Sequence, residues 1–194
     1  LFGVVMIASV TIPLTDGSLS MTLNHIVKLI LAIFIGLLIF RVSLSTWKKI
    51  DISLIIFSFF LLTLVFFPLI GFEANGASRW IRILGFSFQP SELMKFSLII
   101  YISSYCFRRM TEFKEKWLGF WKPVLVVISA IALVLVEPDL GSSAVIFLIS
   151  LTIMFIAGAP LKQMLIIFFM GLSVFVSMIL LVPWRMNRIL SFVD

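Results

Sequence analysis

The strongest constraint on this chain is a series of apolar runs, each approaching the length that a helix needs to cross a membrane. A helix requires about 20 apolar residues to span the hydrocarbon layer of a bilayer. Of the 194 residues, 62% are hydrophobic and only 12% are charged, whereas about a quarter of the residues of a soluble domain carry charge. The sequence therefore predicts an all-α polytopic membrane protein, and it excludes an ordinary soluble domain.

Seven membrane spans are predicted. They cover residues 1–13, 25–40, 52–72, 93–107, 123–136, 141–159 and 164–183. Most connections are short, but those at 73–92 and 108–122 are long. No segment has the composition of a soluble domain or of a low-complexity linker. A single transmembrane domain is therefore expected over 1–194, beginning inside its first helix and ending in a large outer loop after its seventh.

The distribution of basic residues predicts the orientation of these spans. When successive loops are assigned to alternate sides, one side receives Arg41, Lys48, Lys49, Arg108, Arg109, Lys114, Lys116, Lys122 and Lys162. The other side receives Arg79, Arg82, Arg185 and Arg188. Cytoplasmic loops carry the excess of Lys and Arg, so the first side is predicted to be cytoplasmic, together with the start of the chain.

Several classes of function are disfavoured by the composition. The net charge of +6 is spread over loops between spans, which suits anionic headgroups and argues against a nucleic acid partner. The only cysteine, Cys106, has no partner for an intrachain disulfide. His25 is the only histidine, and one His with one Cys does not make a metal site.

The segment "QPSELMK" (89–95) places charge where an apolar helix begins. Gln89, Pro90 and Ser91 have the pattern of a helix start, and Glu92 complements the positive end of that helix. A structural ion pair of Glu92 with Lys95 at i,i+3 is one explanation. A charge costs about 2.5–3.5 kcal/mol at the bilayer centre, so such a face usually turns toward other helices or a wet cavity. We favour a polar cavity, because the depth of Lys95 is otherwise hard to explain.

Two further polar groups are expected on the same outer side. In "VEPDLGSS" (136–143), Glu137 and Asp139 flank a proline at the junction of two spans, and Gly141 opens the returning helix. Asp139 suits a helix cap as well as a direct functional role. Arg185 and Arg188 follow the last span, close to the lipid headgroups. Contact of these long cationic side chains with lipid phosphates explains most of their placement there.

Together with Arg79, these residues predict a shallow polar site that opens outward within an apolar surround. Cations hold phosphates while a membrane holds a lipid tail, so the site suits an anionic headgroup on a lipid. The sequence identifies no cofactor, and a divalent cation is an alternative partner for such a phosphate.

Five motifs make the chain similar to the SEDS family of shape, elongation, division and sporulation proteins, and most similar to its cell-division branch. They are "NGASRWI" (75–81), "QPSELMK" (89–95), "EPDLG" (137–141), "FIAGA" (155–159) and "RILSFVD" (188–194). The family has about ten membrane helices, of which this chain resembles the first seven. The resemblance implies a peptidoglycan glycosyltransferase that polymerises lipid II, the polyprenyl-pyrophosphate disaccharide precursor. It also implies a bacterial cytoplasmic membrane, the division septum, and class B penicillin-binding proteins and other divisome proteins as partners.

The resemblance implies that Arg79, Glu92 and Lys95 line an extracellular cavity, with Glu92 and Lys95 supporting catalysis. The candidate substrate-binding residues are Arg79, Trp80, Gln89, Pro90, Ser91, Glu92, Lys95, Asp139, Gly141, Arg185 and Arg188. The main catalytic aspartate of the family lies beyond residue 194, so this chain alone is expected to be inactive. Many relatives carry Gln at the position of Glu137, which argues against that carboxylate as the essential base.

Three classes of function are compatible with these residues. A glycosyltransferase is favoured, because an outward-opening site serves an enzyme that uses substrate on one side. A flippase for lipid II would also use a charge such as Lys95 inside a helix, but it must open inward as well. A non-catalytic divisome scaffold is the third alternative.

Overall fold

The computed structural model of the chain describes residues 3, 5, 6, 9, 20–67, 71–74, 77–83 and 86–181. It divides into two compact units, residues 1–47 and 48–194. Apart from four isolated positions, the predicted first span at 1–13 lies outside the described residues. The segment at 182–194, which contains Arg185 and Arg188, also lies outside them.

In the first unit, helix α1 runs from Ser20 to Arg41 and covers the predicted span at 25–40. Nearly all of its described side chains are exposed, including Val27, Phe34 and Leu38. A helix that is apolar all round suits a hydrocarbon environment. Its segment Thr22–Arg41 is long and apolar enough to cross a membrane.

Six more helices follow in the described part of the chain. They are α2 (Leu44–Leu64), α3 (Pro90–Arg108), α4 (Met110–Glu115), α5 (Trp117–Val136), α6 (Leu140–Ile156) and α7 (Leu161–Leu180). Helices α5 and α7 are also long and apolar enough to cross a membrane, and α6 is a shorter apolar helix. The prediction of an all-α polytopic membrane protein is confirmed.

Two predicted boundaries are wrong. The span expected at 52–72 is the helix Leu44–Leu64, because Lys48 and Lys49 belong to the helix itself. Long cationic side chains near a helix end can extend toward the membrane interface, so charge did not mark the end of the helix. The connection expected at 108–122 contains α4 and the first turns of α5.

A small antiparallel sheet occupies the long connection between α2 and α3. Its strands are β1 (Gly71–Ala74), β2 (Ala77–Ile83) and β3 (Phe86–Phe88), in the order β1-β2-β3. Ala74 pairs with Ala77 on either side of Asn75 and Gly76, which lie outside the described part. Apolar and polar residues alternate loosely at 79–88, a pattern that also suits a segment lying along the membrane interface, but here the alternation belongs to paired strands.

The core of the second unit forms where α3 packs against α6 and α5. Helix α5 buries Phe120, Val124, Val127, Ala130 and Val134, a spacing of three or four residues that puts one apolar stripe on one helix face. Helix α3 faces this core with Met94, Leu98 and Ile102, each at most 1% exposed. This packing fixes the start of α3 close to the start of α6.

Polar contacts connect α2 to α3 at two levels. The hydroxyl groups of Ser58 and Ser97 lie 2.6 Å apart and are buried. Near the other end of α3, Arg108 Nη2 lies 2.7 Å from Oδ2 of Asp51, which is 2% exposed. Hydrogen bonds and pairing of this kind satisfy polar groups that would otherwise be costly inside a membrane protein.

Helices α4 and α5 approach each other at Gly119. A Cβ atom there would overlap the backbone carbonyl of Glu112, and backbone cannot rotate away as a side chain can. We expect Gly119→Ala to lower the free energy of unfolding by about 1–3 kcal/mol, the usual cost of overpacking. Thermal unfolding of the purified protein in detergent measures this.

Gly36→Ala in α1 is the matched control, because nothing lies within 4 Å of a Cβ there. Alanine is the better helix former by about 1 kcal/mol, so this variant should be neutral or slightly stabilised. Equal melting temperatures for the two variants would contradict the close approach at Gly119.

Candidate functional site

Asp139 joins three elements at one end of the helical core. Its Oδ1 accepts a hydrogen bond from the backbone N–H of Ser142 at 3.1 Å, which caps α6. Its Oδ2 accepts a hydrogen bond from Gln89 Nε2 at 2.8 Å. Arg79 Nη1, from β2, lies 3.8 Å from Oδ1. The Asp139 side chain is only 8% exposed, so these partners offset the cost of burying its charge.

The local sequence explains why these side chains meet. Gln89 is the residue before the first turn of α3, where Pro90 supplies a backbone already set for a helix start. Asp139 occupies the corresponding position before α6, where a carboxylate is a favoured cap. Arg79 lies within β2, which contacts α3. The sheet therefore delivers a cation to the point where two helices begin.

The starts of α3 and α6 are also joined by hydroxyl groups. The Ser91 hydroxyl donates to that of Ser142 at 3.4 Å, and both residues are buried. The Ser143 hydroxyl donates to the backbone carbonyl of Asp139 at 2.8 Å. The positive ends of two helix dipoles therefore point toward the same region, which favours negative charge there.

Glu92 and Lys95 form a separate pair on the first two turns of α3. Lys95 Nζ donates to Glu92 Oε1 at 2.7 Å. The lysine side chain is 18% exposed and the glutamate side chain is 60% exposed. The exposed carboxylate therefore holds a largely buried cation, which is the arrangement expected if Glu92 positions Lys95.

Glu137 is the most deeply buried acid of the site. It ends α5 and is 1% exposed, and neither of its carboxyl oxygens has a hydrogen-bond partner among the described residues. The pKa of Glu137 is raised to about 8, mainly by burial and also by the charge of Asp139, while the charge of Arg79 opposes both effects. The group is therefore mostly uncharged at neutral pH.

The candidate residues thus fall into two described groups. Arg79, Gln89 and Asp139 form one contact network, with Ser91 beside it through Ser142. Glu92 and Lys95 form the second group, along the same helix. Trp80 is half-buried, Pro90 is buried, and Gly141 is exposed in the first turn of α6. Arg185 and Arg188 lie outside the described residues.

Two features of this region did not emerge from the sequence. The first is Ser142, whose hydroxyl accepts a hydrogen bond from the Ser91 hydroxyl and whose backbone N–H donates to the capping carboxylate of Asp139. The run "GSS" after a helix start is a sequence signal that could have indicated this role of Ser142. Glu137 was expected at this junction, but no sequence pattern reveals that its carboxyl group is buried without a hydrogen-bond partner among the described residues. A divalent cation also stays a prediction: in the described part, no three His, Cys, Asp or Glu residues lie together as a ligand set.

An apolar groove of about 240 Å³ lies between α5, α6 and α7. It extends along α5 from Trp121 to Leu135, two residues before Glu137, and is bounded by Phe147 of α6 and Phe175 of α7. The groove carries almost no polar surface, so it suits a hydrocarbon chain and not a sugar.

The helices form an apolar core, and a polar network lies where two of them begin. These features define a polytopic membrane protein with a candidate site at one end of its helices. Residues 1–194 match the family profile FTSW_RODA_SPOVE, described as "Cell cycle protein". The chain belongs to this family, which is the SEDS family indicated by its five motifs.

The similar proteins agree with this assignment. The chain is 36% identical over 198 residues to the "Probable peptidoglycan glycosyltransferase FtsW" of Aliivibrio salmonicida, covering 100% of the chain and 49% of that relative. It therefore spans about half the length of such curated relatives.

Two solved structures share the fold at 24% sequence identity. The crystal structure of Thermus thermophilus rod shape determining protein RodA matches with a TM-score of 0.72, over 91% of this chain and 56% of that one. The second is a chain of the structure named "Structural coordination of polymerization and crosslinking by a peptidoglycan synthase complex". It matches with a TM-score of 0.71, over 98% of this chain and 58% of that one.

Proposed function

We propose that the full-length protein is a peptidoglycan glycosyltransferase that polymerises lipid II into glycan strands during cell division. One observation carries this proposal: Arg79, Gln89 and Asp139, distant in sequence, meet at the starts of two helices, with Lys95 further along one of them. Cations beside helix N-termini favour a pyrophosphate. The family and the names of its relatives supply the reaction class.

In this reaction a hydroxyl group of the acceptor sugar attacks the anomeric carbon of the donor. A new C–O bond forms, the bond to the lipid pyrophosphate breaks, and the pyrophosphate leaves with the bonding electrons. A carboxylate takes the hydroxyl proton, as general base catalysis requires. The proposed base is an aspartate beyond residue 194, so the described residues act on the leaving group.

Arg79 and Lys95 are proposed to bind the pyrophosphate, whose negative charge grows as the bond breaks. Fixed cations at such a position stabilise the transition state more than the ground state. Glu92 is proposed to hold Lys95 in place through their 2.7 Å contact. The beginning of α3 is shaped by Gln89, Pro90 and Ser91. The rest of the proposed binding site is formed by Trp80, Asp139 and Gly141. Further cations at the same face are proposed to come from Arg185 and Arg188.

The apolar groove supports a lipid-linked substrate. Its Leu135 end lies next to the turn that carries Glu137 and Asp139, so a headgroup at the polar network would place its tail close to the groove. Holding a tail and a headgroup together orients the reacting sugar and lowers the entropic cost of reaction.

The partners and location belong to the same proposal. A class B penicillin-binding protein would crosslink the strands that this protein makes, with other divisome membrane proteins nearby, at the septum of a bacterial cytoplasmic membrane. The excess of basic residues on one set of loops supports a cytoplasmic start of the chain.

The test uses purified full-length protein with its transpeptidase partner and fluorescently labelled lipid II. Long glycan strands, resolved by gel electrophoresis, are the expected product. A parallel assay in vesicles measures transfer of labelled lipid II between leaflets. Transfer without polymer would favour a flippase, and neither activity under any condition would favour a scaffold; either result would overturn the proposed reaction.

A further inference from the structure

Glu137 is a buried acid that the proposed reaction does not use. The residue is 1% exposed, and within the part of the chain that the structure describes both carboxyl oxygens lack a hydrogen-bond partner. A buried ionised carboxylate without partners is very costly in free energy. An unpartnered acid at the rim of the polar network therefore calls for a physical explanation.

Among the described residues, two charged groups act on Glu137. Asp139, in the same turn, disfavours its ionisation, and Arg79, from β2, favours it. The start of α3 contributes the neutral amide of Gln89 beside Asp139. Arg79 itself has a buried Nε atom that no described residue hydrogen-bonds, so its guanidinium is not fully engaged by Asp139.

We propose that Glu137 is a positioning residue whose charge controls anion binding, and we call it a charge gate. When Glu137 is uncharged, Arg79 can interact with Asp139 and with an anionic ligand. When Glu137 is ionised, it pairs with Arg79 in place of that ligand. This inference rests on the proposed function, because the ligand is the pyrophosphate of the lipid substrate. The gate needs no movement of a helix, because Glu137 and Asp139 share one turn and Arg79 already lies 3.8 Å from Asp139.

The charge balance explains why the gate is effective. With Glu137 neutral, Arg79 and Asp139 sum to zero, and the helix dipoles leave the region attractive to an anion. With Glu137 ionised, the three groups carry one net negative charge, which repels a pyrophosphate. Such repulsion is strong in a buried site, because the effective dielectric constant is low. The raised pKa of Glu137, about 8, puts this change just above neutral pH.

The first experiment measures polymerisation by the full-length protein and its partner from about pH 7 to pH 9.5. Activity of the wild type should fall about tenfold per pH unit above pH 8, as one acid loses its proton. Glu137→Gln, which keeps shape and removes charge, should retain its activity across that range. Glu115→Gln, an exposed change at the end of α4, should keep the wild-type profile.

The second experiment separates the gate from catalysis by using inorganic pyrophosphate as the probe. Pyrophosphate should raise the melting temperature of the wild type at pH 7 and have little effect at about pH 9.5. In Glu137→Gln it should raise the melting temperature at both. Glu137→Met is a second uncharged variant, in case the glutamine variant does not fold.

The two experiments distinguish failure of the charge gate from failure of the proposed function. A protein that makes no polymer at any pH, yet shows the pH-dependent pyrophosphate effect, would keep the gate and remove the reaction. An equal pyrophosphate effect at both pH values in the wild type would overturn the gate. So would an alkaline fall in polymerisation that is unchanged in Glu137→Gln.

Discussion

Lys95→Ala in the full-length protein is expected to reduce polymerisation of lipid II by about 100-fold or more. Loss of one preorganised group that stabilises developing negative charge costs about 10²–10³ in rate. Lys95 is 18% exposed and held at 2.7 Å by Glu92, so water cannot readily replace it. The initial rate of strand formation from labelled lipid II measures the effect.

The predicted loss should be specific to the position of the cation. Lys28→Ala removes an exposed lysine from α1 and should keep the wild-type rate. Glu92→Ala leaves the cation in place but removes its holder, so a smaller loss of about tenfold is expected, in line with a positioning role. If Lys95→Ala polymerised lipid II at the wild-type rate, the assignment of α3 to the leaving group would be wrong.

The helices could be predicted because each depends on its own apolar run. Helix α5 shows this most clearly, since Phe120, Val124, Val127 and Val134 mark its buried face through spacing alone. Helix ends were harder. The residues before Asp51 are polar and cationic, yet the helix begins at Leu44, because a cation at the interface does not break a helix.

The sheet could not be assigned in advance, although its alternation was visible. Alternation fits a strand only when a partner strand exists, and β2 finds partners on both sides, in β1 and β3. These pairings depend on which chain segments lie close together in space, and the alternation of residues within one segment does not identify its partner.

The candidate site was partly predictable. Asp139 was expected to cap a helix or to serve the site directly, and it does cap α6 while contacting Arg79 and Gln89. The ion pair of Glu92 with Lys95 followed from i,i+3 spacing. By contrast, Asp51 and Arg108 lie far apart in sequence, so only the antiparallel packing of α2 and α3 reveals their pairing.

Asp139→Ala is expected to lower the free energy of unfolding by about 1.5–3 kcal/mol, the usual contribution of hydrogen bonds to a charged group. The change also removes the cap of α6, worth about 1 kcal/mol, and leaves the Gln89 amide and the Arg79 guanidinium without their acceptor. Denaturant unfolding of the full-length protein in micelles, followed by tryptophan fluorescence, measures the change.

Asp139→Asn separates the two contributions, because its side-chain oxygen can still cap α6 while its charge is gone. It should cost less than Asp139→Ala, and the difference estimates the value of the cap. Arg79→Met combined with Asp139→Ala should cost less than the sum of the single changes, by about 0.5–3 kcal/mol, since both remove the same contact. Additive costs would mean that Arg79 and Asp139 do not interact at 3.8 Å, and the polar network would then lose the contact that brings a cation from the sheet to the helix starts.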